Sequence, residues 1–244
     1  MHRVLIPPQA ARRDEITIDD PRDVHHLVRV LRIKPGDHLE CFDGQGRTYR
    51  GRVTQIGGRQ LTVSVDQRDE EPSPRVKLTL AQALIQPARF EWVLQKSTEL
   101  GVVRITPVVT SRTTVRFSSR GSGHRLERWR RIVREATAQC GRANLPVVDE
   151  PQRFEDVLKT LGSCYTLLPT LVEPGAPLEE HVKRLNGASD IVIFIGPEGD
   201  FSPEEVSLAQ RFGAHPATLG NATLRSETAA IATLAILQHA LGLL

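Results

Sequence analysis

Cysteine is scarce in this chain: three in 244 residues, at Cys41, Cys140 and Cys164. They are far apart and odd in number, which argues against a disulfide framework and shows no metal-ligand spacing. Reduced or buried thiols are expected. Also missing is any apolar run long enough to span a bilayer without charge. The opening stretch MHRVLIPPQAARRDE lacks the apolar core of a signal peptide. Together these absences point to a cytoplasmic protein. No G-x-G-x-x-G follows a strand-like run and no G-x-x-x-x-G-K-S/T occurs, which speaks against a nicotinamide dehydrogenase or a P-loop enzyme. His25 and His26 stand without other ligand types around them, so no metal site is expected.

What is present fits an ordinary globular chain: 39% hydrophobic and 25% charged residues, with a net charge of +3. The pI is nevertheless about 9.0. Arginine far outnumbers lysine, and arginine forks suit phosphates and guanine edges. On its own this is a weak pointer to nucleic acid.

The most informative stretch is 191–241. Two short apolar runs, 191–195 and 217–219, each end in a glycine-containing loop that leads into a helix. The first helix start is well marked. Ser202 is a cap, Pro203 suits the first helical position, and Glu205 completes a capping box. In a parallel α/β sheet, ligands sit at the carboxyl ends of strands. Both loops are therefore read as walls of one small-molecule pocket. Gly196 and Gly199 would permit positive φ or close approach of a ligand to the backbone.

The rest of the chain divides at Glu70-Glu71-Pro72-Ser73-Pro74. Residues 1–72 alternate in short runs broken by glycines, the pattern of a small barrel or meander. A helix over 21–32 is expected to turn Leu27, Val30 and Leu31 inward and to share a face between Arg29 and Arg32. Arg12, Arg13, Arg22, Arg29, Arg32, Arg47, Arg50 and Arg52 make this domain a candidate RNA surface, against the plainer reading of a solvated basic face. Residues 73–244 alternate strands and helices, which implies an α/β domain with a mainly parallel sheet covered on both faces. Lys96 and Glu99 read as a structural ion pair. The last helix, 227–241, is apolar nearly all round. Either it is the centre of a core or one face meets a second subunit; its place at the domain edge favours a homodimer.

Four strings, QPARFEWVLQKSTELGV, RWRRIVREATAQCGR, IGPEGDFSPEE and LGNATLRSETA, occur in an order and spacing that resemble the SPOUT (α/β-knot) methyltransferases. The likeness is greatest to the bacterial family (RsmE) that methylates a uracil N3 of 16S ribosomal RNA. HHLVRVLR resembles a recurring string of that family's PUA-like barrel. The resemblance implies a trefoil-knotted C-terminal domain at 73–244 and a PUA-like RNA-binding barrel at 1–72. It implies methyl transfer from S-adenosylmethionine, without metal, to the uridine at position 1498 of the small-subunit RNA. The cofactor-binding residues it implies are Ile195, Gly196, Pro197, Glu198 and Gly199 in the first loop. In the second they are Leu219, Gly220, Asn221, Leu224, Arg225 and Thr228. Arg225 would stabilise a deprotonated uracil or bind RNA. Glu227 would either accept the proton or complement the helix dipole. Arg142 matches the family's RNA- or site-facing arginine, to be added to Arg12, Arg22, Arg29 and Arg32. Two departures stand out: Asp200 where a second glycine is usual, and Ala222 where a basic residue is common. A ribose 2′-O-methyltransferase on the same fold and a non-catalytic RNA-binding assembly factor are the alternatives.

Overall fold

The computed structural model describes residues 2–12, 14–115, 122–173, 175–185 and 187–243. The chain divides into two compact units, Met1–Ser73 with Thr137–Leu145, and Pro74–Ala136 with Pro146–Leu244. Residues 137–145 thus count with the first unit rather than with the sequence that flanks them. Among the described residues no helix is long and apolar enough to cross a membrane.

The first unit is a six-stranded sheet made of β1 (His2–Leu5), β2 (Ala11–Arg12), β3 (Glu15–Ile18), β4 (His38–Phe42), β5 (Arg47–Ile56) and β6 (Leu61–Glu70). Its spatial order is β1-β4-β5-β6-β3-β2. Only β1 and β4 run parallel; the other neighbours are antiparallel. The long β5–β6 ribbon carries two register shifts, at Arg50/Gly51 and Val53/Gln55. Gly51 is required at the first, because a Cβ there would lie 1.9 Å from the Ser64 carbonyl oxygen. Such bulges bend the ribbon over the core of Ile16, Leu39, Val53, Leu61 and Val63.

Between β3 and β4 the expected single helix is two pieces. Asp20 caps α1 (Pro21–His25), accepting from the Arg22 and Asp23 backbone N–H groups at 2.8 and 3.3 Å. The chain then widens into a π-turn, His26–Val30, closed by Leu31 N–H to His26 O at 2.9 Å. This overturns one expectation. Leu27 faces the core, but Val30 is 59% exposed, because a π-turn no longer brings the residue three positions on to the same side.

The second unit alternates β7 (Lys77–Ala83), α2 (Pro87–Glu99), β8 (Arg104–Val109), α3 (Ser122–Cys140), β9 (Val147–Val148), β10 (Gln152–Arg153), α4 (Phe154–Lys159), β11 (Tyr165–Pro169), β12 (Ala176–Pro177), α5 (Leu178–Arg184), β13 (Asp190–Ile195), α6 (Pro203–Arg211), β14 (Ala214–Thr218) and α7 (Ser226–Ala240). The sheet order is β10-β8-β7-β13-β11-β14-β12, with β9 beside β8, and every pairing is parallel. Such strands are buried on both faces, which explains the near-continuous apolar run of β13. Helices fall into two groups. α2, α5 and α7 pack together, and α4 packs with α6. Phe154, Phe194 and Phe201 fill the α4–α6 side, with ring centroids 5.2–5.3 Å from Phe154. The Lys96–Glu99 pair forms within α2 at 2.8 Å.

Candidate active site

The carboxyl ends of β11, β13 and β14 meet around a cavity of about 220 Å³. Parallel strands whose carboxyl ends lie together make this the natural ligand crevice of the sheet. Seven residues implicated by the sequence line it: Ile195, Gly196, Pro197 and Glu198 from the β13–α6 loop, and Leu219, Leu224 and Arg225 from the β14–α7 loop. Four others do not. Gly199 turns its carbonyl out to Arg112, whose Nη1 donates to it at 2.7 Å. Gly220, at φ +112, closes its own turn with Thr218. Asn221 and Thr228 are exposed and off the wall.

The first loop is held open by side chains that local pattern-reading did not connect. The capping box of α6 forms as expected, Glu205 N–H donating to Ser202 Oγ at 3.2 Å and Ser202 N–H to Glu205 at 2.9 Å. The Glu205 carboxylate also accepts from Ser111 N–H and Oγ at 2.7 and 2.9 Å. Asp200 sits at φ +58, the left-handed region where glycine is usual. Its carboxylate accepts from Thr170 Oγ1 at 2.9 Å, Leu171 N–H at 2.6 Å and Phe201 N–H at 2.8 Å. That brings Pro169, Thr170 and Leu171 into the wall, a third strand end that the two-loop reading missed.

Gly196 also needs a different explanation. Neither it nor Gly199 has positive φ. A Cβ on Gly196 would stand 3.0 Å from Asp200 Oδ1 and 3.3 Å from Phe201. The glycine makes room for the loop's own anchor.

Arg225 precedes α7, is exposed, and lines the cavity. Ser226 lies just inside it and donates from Oγ to the Gly196 carbonyl at 2.5 Å, joining the two loops. Gln82, fully buried at the end of β7, donates to Ser226 Oγ at 2.9 Å. Glu227 does not line the cavity. Its carboxylate faces Arg89 of α2 at 3.6 Å, and the same guanidinium stands 3.7 Å from Glu198. Arg89, unremarked in the sequence, thus stands near Glu198 of the first loop and Glu227 at the start of α7. Among the described residues, Glu227 Oε2 is buried and has no hydrogen-bond partner.

The first unit sorts its arginines. Arg47, Arg50 and Arg52 face Glu70, Glu40 with Asp69, and Asp66. Arg22, Arg29 and Arg32 are exposed and make no ion pair with any described residue. The Arg12 side chain and all of Arg13 lie outside the described residues. Arg142 is half-buried; burial pushes its pKa below the ordinary arginine value, opposed by Cys140 and Glu71. No group of three or more metal-ligand side chains occurs among the described residues.

With this geometry in hand, comparison with known proteins is decisive. A family model described as an RNA methyltransferase domain matches residues 71–238, and one described as an RNA methyltransferase PUA domain matches residues 18–66. The chain belongs to the ribosomal RNA small subunit methyltransferase E family. The enzyme of that name from Synechocystis is 34% identical over 238 residues, spanning 96% of this chain and 76% of the relative. A methyltransferase from Legionella pneumophila, solved with S-adenosylmethionine, superposes with a TM-score of 0.88 at 30% identity, covering 98% of this chain and 97% of that one. The methyltransferase E of Neisseria gonorrhoeae, also solved with S-adenosylmethionine, gives 0.87 at 30% identity with the same coverage. The cavity, the parallel sheet and the first unit are therefore parts of a methyltransferase fold with a PUA domain.

Proposed function

We propose that this protein methylates N3 of the uridine at position 1498 of 16S ribosomal RNA, on the small ribosomal subunit, using S-adenosylmethionine. The reading includes a trefoil-knotted second domain and a homodimer. The observation that carries it is the cavity shared by both loops, with an exposed arginine on its wall.

The cavity residues fit the cofactor. Ile195, Leu219 and Leu224 offer apolar walls to a nucleoside ring, while Glu198 brings a negative charge toward a sulfonium. Bound cofactor supplies an already activated methyl group. What remains for the protein is to align the base and remove its proton. A uracil N3–H is a weak acid, so the base needs a proton acceptor and a cation to hold the resulting anion. Arg225, on the wall, is assigned the second task. Glu227, off the wall but with an Oε2 that no described residue hydrogen-bonds, is assigned the first, with the Arg89 charge 3.6 Å away holding it loosely near the mouth. Arg22, Arg29, Arg32, Arg12 and Arg142 are assigned to the RNA, whose remote binding positions the base.

The dimer reading rests on α2 and α7. These helices pack together and leave Trp92 43% and Ile236 45% exposed. A two-fold contact would bury both.

The test is incubation of small-subunit particles with the enzyme and methyl-labelled cofactor, followed by nucleoside mass spectrometry. N3-methyluridine is expected. A ribose methyl instead would move the protein to the 2′-O class. Neither product nor cofactor binding would leave an RNA-binding assembly factor.

A further inference from the structure

The turn at 26–32 combines three features that ordinary surface helices lack. It is a π-turn, rare and usually tied to function. It ends at Arg32 with φ +55, a left-handed conformation that non-glycine residues seldom adopt. Between these lies Val30, the apolar residue the turn expels, with 59% of its surface exposed. The turn is firmly seated on either side, since Leu27 and Ile33 are both buried. Val30 is therefore held out by a constrained backbone.

Exposed arginines flank it. Arg22, Arg29 and Arg32 are exposed and make no ion pair with a described residue, and His25 and His26 are exposed beside them. The strand arginines Arg47, Arg50, Arg52 and Arg68 all face carboxylates. The acids of this segment, Asp19, Asp20 and Asp23, lie at its start, and the Asp20 carboxylate caps α1. An apolar tooth among free cations suits a polyanion that also offers flat apolar faces. A second copy of the same face would bring like charges together.

We propose that this turn is a docking tooth for single-stranded RNA. Val30 seats against the face of an unpaired base or its ribose, and Arg29 and Arg32 take the flanking phosphates. Single strands expose such faces and duplex RNA hides them. The inference rests on the RNA-substrate reading above and names the element that meets the strand.

The experiment measures binding of a labelled single-stranded RNA, and of a duplex of the same sequence, across a salt series. Val30→Ser should weaken single-strand binding by about 5- to 10-fold at every salt concentration, leaving the salt slope and the duplex affinity unchanged. Arg29→Ala should lower the slope by about 0.7, the value of one released counterion on a single strand. Arg32→Gly, which tolerates φ +55, should cost only that slope change. Arg32→Ala, which strains the turn, should lose the Val30-dependent part as well. Thermal melting verifies that each variant folds. Unchanged affinity in Val30→Ser overturns the proposal, and so does an equal loss on duplex RNA. Competition by polyglutamate that depends on Val30 as strongly as RNA binding does would assign the face to an acidic protein and also overturn it. Nucleoside analysis separates the two readings. N3-methyluridine with an indifferent Val30 removes the tooth alone, and a Val30-dependent single-strand affinity without methylation removes the reaction alone.

Discussion

Asp200 offers the sharpest check on how the pocket is held. Its carboxylate makes three hydrogen bonds, to Thr170, Leu171 and Phe201, while its backbone sits at φ +58. Each bond contributes about 1 kcal/mol net in a partly exposed setting, so their joint loss costs about 3 kcal/mol at most. Alanine at positive φ adds about 1 kcal/mol, since its Cβ meets the carbonyl in the left-handed region. Asp200→Ala should therefore destabilise the folded protein by about 3–4 kcal/mol. Asp200→Gly loses the same bonds but relaxes the backbone, and should cost about 2 kcal/mol. Asp200→Asn keeps the left-handed tolerance and one acceptor, and should cost about 1 kcal/mol. Denaturant titration gives the three values, and calorimetry with S-adenosylmethionine gives the matching affinities, expected to fall in the same order. The freed 169–171 wall should show as faster amide exchange at Leu171. Equal losses for the alanine and glycine variants would refute the backbone term. Unchanged exchange at Leu171 would refute the anchoring itself.

Four more outcomes follow from the site and the core. Arg225→Ala should slow methylation by about 100-fold with cofactor affinity nearly intact, and higher pH should partly restore the rate by ionising the base unaided; loss of cofactor binding would instead make this wall arginine a holder of the cofactor rather than of the base. Arg89→Met should slow methylation by about 10-fold and Arg89→Lys should recover part of it, whereas equal rates in both variants would show that charge near Glu198 and Glu227 is irrelevant. Burial, with help from Glu40, pushes the Cys41 thiol from 9.0 up to about 12. Below pH 9 both folded and unfolded thiols are protonated; above it only the unfolded one ionises, so stability should fall by about 1.4 kcal/mol per pH unit until the folded thiol titrates, and Cys41→Ala should flatten that slope. Light scattering should report twice the chain mass, and Ile236→Asp should shift it toward the monomer; a wild-type monomer would leave the exposed Ile236 and Trp92 as ordinary surface.

Local features were readable from the sequence because their causes are local. The α6 capping box needs only Ser202, Pro203 and Glu205, and it forms. The strand-then-loop ends of β13 and β14 announce a ligand crevice by apolar runs and glycines alone. Contacts between distant residues were not readable. Arg89 meets Glu198 and Glu227 across more of the sequence than any spacing rule spans. Asp200 was visible as a departure from a family pattern, but its purpose lies in Thr170 and Leu171, on another strand end. Val30 failed for a different reason. Its inward placement assumed a period of 3.6 residues, and the π-turn breaks that period. The strand arginines looked available until Glu40, Asp66, Asp69 and Glu70 were seen beside them.

The two pocket loops are not independent, and the reason lies in residues 82–89, where β7 passes into α2. Gln82 donates to Ser226, the first residue of α7 after the second loop, and Ser226 donates to Gly196 of the first loop. Arg89 stands against Glu198 of the first loop and Glu227 at the start of α7. One short stretch therefore holds both loops twice, once by a buried neutral relay and once by a half-exposed charge contact. The relay is the stiffer link, because buried hydrogen bonds left unmade are costly. The charge contact is the looser one. At 3.6–3.7 Å Arg89 hydrogen-bonds neither carboxylate, so both remain able to change partners. A methyltransferase of this design needs both properties. Under the proposed function, the cavity must stay preformed for the cofactor while its mouth answers to the RNA. Residues 82–89 supply the rigid link to the first and the adjustable link to the second.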